Sequence, residues 1–302
     1  MSDSNPRDRR TFLGGSDIAA LYEVSPWTTL YRLWEEKTAA EPTPDDPSKQ
    51  KIYNRGKKFE PLVMQMAEEE RGIFIVRRNQ RYDDAEFAFF SCEIDFEFMD
   101  DAGMCNGDVK TVSPFHNRGW GDVDTDEVPL HYCLQFLWGL MITGRPYTLV
   151  ALLCGSDDLR FYVVKRDEEL IADMRAKALH FWNHHVLGRI PPAAKTVADL
   201  TKAIARHKGF AIPATERALL AISRLRGIKA ALTKLNSLEK QYQADIREQL
   251  LLAAETAGAI PSDKYMILGT DGQPLVTLAE EHRSAYSVAA TSFYTLRLKK
   301  AK

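Results

Sequence analysis

The sequence predicts an α/β protein with a central mixed sheet flanked by helices, followed by a mainly helical extension with a small hairpin. Three observations predict it. Segments that read as strands fall at 73–112 and 147–165, with helical patterns around them, and Cys92–Phe98 alternates polar and apolar with period two. Pro191-Pro192 then interrupts the pattern. Beyond it, apolar residues at 225, 228, 232, 235, 238, 242, 246 and 250 recur at spacings of three and four. That stripe marks a long amphipathic helix or a coiled-coil seam.

The elements follow in order. Residues 10–22 read as a loop and a short helix, with Ser16 of Gly14-Gly15-Ser16-Asp17 as N-cap and Asp17 placed for the helix dipole. A second helix covers 28–38. Residues 39–48, rich in Pro, Asp and Thr, read as an exposed loop, and 56–70 as a third helix ended near Gly72. Strands are expected at 73–82, 85–98 and 104–112, then a loop at 113–128 and a helix at 129–143 closed by Gly144. Strands 147–154 and 159–165 are joined by Gly155-Ser156-Asp157-Asp158, and 167–187 reads as a helix. Residues 1–195 are expected to form one domain and 196–302 a second. The second holds a helix at 213–256 and a hairpin at 264–281 around Thr270-Asp271-Gly272.

Composition bounds the function. The 302 residues, 45% hydrophobic and 27% charged, are ordinary for a soluble globular protein. No apolar run approaches the ~20 residues that span a bilayer, and Met1–Arg10 has no apolar signal region. A cytoplasmic protein with no membrane contact is expected. Cys92, Cys105, Cys133 and Cys154 form no C-x-x-C, so free, mostly buried thiols are expected rather than a thiolate metal site. Net charge is −2, but residues 196–302 carry sixteen basic against ten acidic side chains, a net +6. The long helix presents Arg217, Arg224, Arg226, Lys229, Lys234 and Lys240. A phosphate-binding surface in the first 195 residues must therefore be local. Arg7/Arg9/Arg10, Lys49/Lys51, Arg55/Lys57/Lys58 and Arg77/Arg78/Arg81 are the clusters that could form it, or they are solvated charge.

The chemistry concentrates in Cys92–Phe98 and Cys105–Thr111, joined by turn formers. An antiparallel hairpin centred on that turn puts Asp95 opposite Asp108 and Glu93 opposite Lys110, on one face. Ile94, Phe96, Phe98 and Val109 face the core. Like charges directly opposed destabilise a strand pair. A divalent cation such as Mg²⁺, which takes hard oxygen ligands, would resolve the conflict, with Lys110 as a fixed positive charge beside it. Acid, then acid-x-lysine, is what metal-assisted phosphodiester hydrolysis needs. A solvated hairpin face is the alternative.

Several stretches converge on one family. Gly14–Ala20 followed by Ser25-Pro26-Trp27 resembles the opening of YqaJ-type phage recombination nucleases, relatives of lambda exonuclease. Gly56-Lys57-Lys58-Phe59-Glu60-Pro61 resembles their next motif. The hairpin with Asp95 and Asp108-Val109-Lys110 resembles the PD-(D/E)xK superfamily core, and Tyr132-Cys133-Leu134-Gln135 the family's Tyr-x-x-Gln helix. The motifs occur in the family's order over residues 9–165.

The resemblance implies a restriction-endonuclease-like core and a processive 5′-to-3′ exonuclease on double-stranded DNA ends. It implies release of 5′-mononucleotides, a toroidal homotrimer and a single-strand-annealing partner protein. Carried over by motif, Asp95, Asp108 and the Val109 carbonyl would hold Mg²⁺, with Glu60 as a second-metal or water-mediated ligand and Mn²⁺ as substitute. Lys110 would be the catalytic lysine, Gln135 would orient the site, and Ser16 with Arg9 or Arg10 would bind a 5′-phosphate. The residues themselves leave some roles open. Glu60 could instead be a first-turn helix acid, Gln135 a capped or surface amide, and Trp27 either a base-stacking ring or a packing one. Two departures stand out: Asp108 where this branch more often has Glu, and residues 196–302, which the lambda enzyme lacks. A restriction or repair endonuclease on the same core, and a non-catalytic DNA-binding protein, are the competing readings.

Overall fold

The computed structural model describes residues 7–42, 47–116, 118–207, 209–255 and 265–278. Parts of the expected loop at 39–48 and of the expected hairpin at 264–281 lie outside them. The chain divides into two units, Met1–Ile204 and Ala205–Lys302.

The first unit is built on a five-stranded sheet in the order β1-β2-β3-β4-β5. Its strands are β1 (Ile75–Asp83), β2 (Ser91–Asp100), β3 (Gly103–Val112), β4 (Tyr147–Cys154) and β5 (Asp158–Lys165). All neighbours are antiparallel except β3 and β4, which run parallel. A parallel neighbour needs a crossover. Helix α4 (Leu130–Thr143) supplies it, closed by Gly144 at φ 70°, where a left-handed C-cap favours glycine. On one face of the sheet, α1 (Gly15–Leu21), α2 (Leu30–Thr38), α4 and α5 (Glu168–His180) bury Leu13, Ile18, Trp34, Phe90, Trp138 and Trp182. On the other, α3 (Pro47–Arg71) covers Phe96, Phe98, Val109 and Leu153 with Val63, Met64 and Ala67. Cys92 and Ile94 of β2 belong to the first core and Phe96 and Phe98 to the second, so the strand switches faces near Asp95 and Ile94 does not share the face expected of it with Phe96, Phe98 and Val109. A buried network fixes the strand ends: Arg145 donates to Glu97 at 3.0 Å and to Asn106 at 2.7 Å.

Four further expectations are corrected. Helix α3 begins at Pro47, well before residue 56. The strand expected at 85–98 begins at Ser91, because the Asp84 carboxylate accepts from the N–H groups of Glu86 and Phe87 and turns the chain. The N-cap of α1 is Gly14 rather than Ser16: the Gly14 N–H donates to the Asp17 carboxylate at 3.0 Å and Asp17 N–H returns to the Gly14 carbonyl at 2.9 Å. The helix expected to 187 changes type at Phe181, where a π-helical turn (Phe181–Leu187) takes over. Closing i→i+5, it brings Phe181 and Val186 to one buried face.

Helix α6 (Val197–Ala205), absent from the sequence reading, ties residues 197–204 to α2: Lys202 pairs with Glu35 at 2.7 Å. The second unit contains α7 (Glu216–Glu255) and a hairpin of β6 (Tyr265–Leu268) and β7 (Pro274–Leu278). The apolar stripe of α7 is largely exposed, with Ile228, Leu232, Leu235 and Leu238 all in solvent. Among the described residues no helix is long and apolar enough to cross a membrane.

Candidate active site

The site begins where two strands part. The β2–β3 ladder runs from Asp100↔Gly103 to Phe96↔Gly107, in the register that the sequence predicts, and ends there. Beyond that point β2 stays with β1, up to Ser91↔Asp83, while β3 turns to β4, from Asn106↔Thr148 to Val112↔Cys154. Asp95 and Asp108, the next expected pair, therefore flank an opening instead of continuing the ladder, and the expected Glu93–Lys110 pair does not form. Asp95 fills the gap in part, accepting from the Val109 N–H at 2.8 Å. Glu93 instead pairs with Arg81.

A cavity of about 420 Å³ lies over this opening. Asp95, Asp108, Val109, Lys110, Glu60, Gln135, Ser16, Arg9 and Trp27 all line it. Arg10 does not: its guanidinium is held by Asp8 and by the carbonyls of Ala39 and Ala40, so it braces the chain.

The electrostatics set the chemistry. Asp95 is pushed up to about 8, first by burial and then by the Asp108 charge. Burial also raises Asp108. The Lys110 ammonium pairs with Asp108 and packs 5.3 Å and 5.4 Å from the ring centres of Tyr132 and Phe136. Burial works against its charge, but Asp108 and Asp95 outweigh this and hold it above the usual lysine range. Glu60 is raised too, by burial and then by Asp108 and Glu93, against Lys57 and Lys110. Three acids thus resist ionising together beside Lys110 and Lys57. A divalent cation relieves that repulsion, and a set of carboxylate oxygens suits Mg²⁺ or Mn²⁺. The residues fit such an ion.

A carboxyl whose folded pKa lies above its unfolded value of ~3.9 contributes stability that is present below the lower value and lost as pH rises through the higher one. For Asp95 that window runs from ~4 to about 8. In EDTA, Asp95→Asn is expected to raise Tm at pH 8.5 and to change it little at pH 4. Thermal unfolding across pH, with and without Mg²⁺, checks this; equal shifts at both pH values contradict it.

The remaining residues are positioned by α1, α3 and α4 and the segments that lead into them. Glu60 lies well inside α3, so the first-turn alternative falls away. Tyr53, Gly56, Lys57 and Glu60 share the helix face that lines the cavity. Gln135 is seated against α1: a Cβ on Gly15 would lie 3.1 Å from its Cγ and 3.3 Å from its carbonyl oxygen. Arg9 donates to Ser16 at 3.3 Å and to Asp17 at 2.8 Å. Asp17, which the sequence suggested for the helix dipole, is a buried hub that also takes Lys37 at 2.9 Å. Burial alone would raise its pKa, but Lys37 and Arg9 hold it below the usual range. Trp27 is 49% exposed and packs edge-on to His131 at 4.9 Å. Of the basic clusters, Lys57 and Arg9 reach the cavity, whereas Arg77, Arg78 and Arg81 are paired with Glu97, Glu68 and Glu93. Tyr53, Asp17, Lys37, Tyr132 and Phe136 were not singled out as site residues. The i, i+4 spacing of Tyr132 and Phe136, with Gln135 between them, was the available signal.

The curated Bacillus subtilis (strain 168) protein YqaJ, itself uncharacterized, is 28% identical over 251 residues, 80% of this chain and 76% of its own length. An alkaline exonuclease from Laribacter hongkongensis is 16% identical at a TM-score of 0.47, covering 66% of this chain and 95% of its own. A phage-related exonuclease from Haemophilus somnus 129PT is 11% identical at 0.45, covering 58% and 94%. The profile of the YqaJ-like viral recombinase domain matches residues 6–146, a span that holds every residue of the cavity just described except Thr148. Over residues 6–146 the chain is thus similar to the YqaJ-like viral recombinase domain.

Proposed function

We propose that the chain is a metal-dependent nuclease of phage-type recombination that degrades linear double-stranded DNA from its 5′ ends. It would release 5′-mononucleotides and leave 3′ single strands for annealing. One observation carries this reading. Two carboxylates from a splayed strand pair, the ammonium beside them and a third carboxylate from α3 line a single cavity.

Asp95, Asp108, Glu60 and the Val109 carbonyl are the oxygens that would hold Mg²⁺, or Mn²⁺ in its place. When bound, the ion supplies charge neutralisation at the phosphate and a lowered pKa for water. Lys110 stays protonated beside Asp108, so it presents a fixed positive charge where charge develops on the phosphate. The Tyr132 and Phe136 rings restrict its swing. Gln135 orients groups from the α4 side. Arg9 and Ser16 would take a terminal 5′-phosphate, for which a planar guanidinium is suited. The exposed Trp27 ring offers a stacking face to a base. A toroidal homotrimer, a single-strand-annealing partner and a cytoplasmic site of action rest on the family resemblance alone.

Arg9→Ala is expected to lower kcat/KM on 5′-phosphorylated ends by about 10- to 100-fold, the worth of a charge-assisted contact. Ends bearing a 5′-hydroxyl should lose much less. Equal losses on both ends would make Arg9 a brace for Asp17.

The reading itself is tested with Mg²⁺ and linear duplexes labelled at either end, beside closed circular DNA. Early loss of the 5′ label, with the circle intact, supports it. Cleavage of the circle replaces it with an endonuclease, and no cleavage in Mg²⁺ or Mn²⁺ replaces it with a binding protein.

A further inference from the structure

The seam between α5 and the π-helical turn gathers three imidazoles away from the cavity. We propose that His180, His184 and His185 form a binding site for one divalent transition-metal ion of the Zn²⁺ type. None of the three lines the active-site cavity.

Their convergence follows from the backbone. In an α-helix a residue five positions on lies well round the cylinder, at 3.6 residues per turn. The π turn is wider, and the Gly188 N–H closes it onto the Asn183 carbonyl at 3.1 Å. Residues 180, 184 and 185 therefore share a face. The His180 and His184 rings stack with centres 5.0 Å apart, and His185 stands edge-on to both. The candidate donor nitrogens all lie within 4.8 Å of one another. Two nitrogens on one tetrahedral Zn²⁺, at ~2.0–2.1 Å each, sit ~3.4 Å apart. The exposed rings of His180 and His184 can close that difference by small side-chain rotations.

A second observation points to a metal. His185 Nδ1 lies 2.7 Å from the Ile190 carbonyl oxygen. A carbonyl only accepts, so Nδ1 carries the proton and the Nε2 lone pair is left free. That is the tautomer and backing contact that metal-bound histidines use. The main chain here is also anchored, since Trp34 Nε1 donates to the His185 carbonyl at 2.8 Å. The nearest ammonium on α5, Lys177, is taken up by Asp173. Neutral imidazoles favour Zn²⁺, Ni²⁺ or Cu²⁺, whereas the carboxylate cavity suits Mg²⁺ or Mn²⁺, so the two sites differ in chemistry. A bound ion would staple the π turn and leave a coordination position for water.

The test uses the full chain with Asp95→Asn and Asp108→Asn, so that the carboxylate cavity does not contribute. It is titrated with Zn²⁺ by calorimetry and with Co²⁺ by absorption. One ion per chain is expected, without a thiolate-to-cobalt band. His180→Ala or His184→Ala should weaken binding at least about tenfold. Both side chains are exposed, so circular dichroism should not change. Zn²⁺ should raise Tm in the parent and not in either histidine variant. Three results overturn the proposal: no heat or spectral change at millimolar ion, a thiolate band, or binding that the histidine variants leave intact.

Discussion

Asp108→Asn is expected to abolish Mg²⁺-dependent DNA hydrolysis, by roughly 10³-fold or more, while the protein stays folded. The size follows from what the carboxylate touches. It is buried, pairs with the Lys110 ammonium and faces Asp95 across the opened ladder. Removing its charge takes away an oxygen donor for the ion and the counter-charge that fixes Lys110. Loss of one preorganised electrostatic contact costs about 10²–10³ in rate, and this change affects two. The fold should survive, because Asn keeps the shape and removes a buried charge that repels Asp95. Without metal, Tm should hold or rise. Single-turnover digestion beside thermal unfolding separates the effects. A dead variant that is also unfolded, or a folded variant with wild-type rate, contradicts the assignment.

The second large effect concerns Gly107, at the vertex where the strands part. Its φ is not positive, so the need for glycine is spatial. A Cβ there would lie 2.1–2.3 Å from three ring carbons of Phe96. Phe96 is fully buried between α3 and the sheet and cannot move aside freely. Gly107→Ala is therefore expected to destabilise by roughly 3 kcal/mol, at the upper end of overpacking costs. Activity should fall with it, because the vertex sets the gap between Asp95 and Asp108. Phe96→Leu in the same chain should recover part of the loss, a coupling that denaturant titration of the double-mutant cycle measures. Additive losses would mean that the ring does not fill the space above Gly107.

Much of this was legible in the sequence because period-two alternation fixes the register. Asp100↔Gly103 through Phe96↔Gly107 pair as the pattern of β2 and β3 requires. What the pattern could not give is where the ladder stops. Alternation continues through Asp95 and Glu93, yet β3 leaves for β4, a partner more than thirty residues away in sequence. The functional opening is that departure, a tertiary event with no local signal. The start of α3 was missed for a similar reason: its first turns carry little apolar periodicity, and the helix is fixed by Val63, Met64 and Ala67 further on. Ser16 looked like a cap by residue type, but the capping bond comes from Asp17. The π turn also escaped, because the apolar residues 181, 182 and 186 read as an ordinary helix face until the backbone widens.

The most direct measurement is a Mn²⁺ titration of wild type and Asp108→Asn by calorimetry near pH 7, repeated in buffers of different ionisation enthalpy. Burial and the Asp108 charge raise Asp95 well above the usual carboxylate range, so binding of an ion there is expected to expel a proton. The wild type is expected to bind with net proton release, and Asp108→Asn weakly or not at all. Equal affinity in the two proteins, or binding with no proton released, would show that Asp95 and Asp108 are not the seat of the ion.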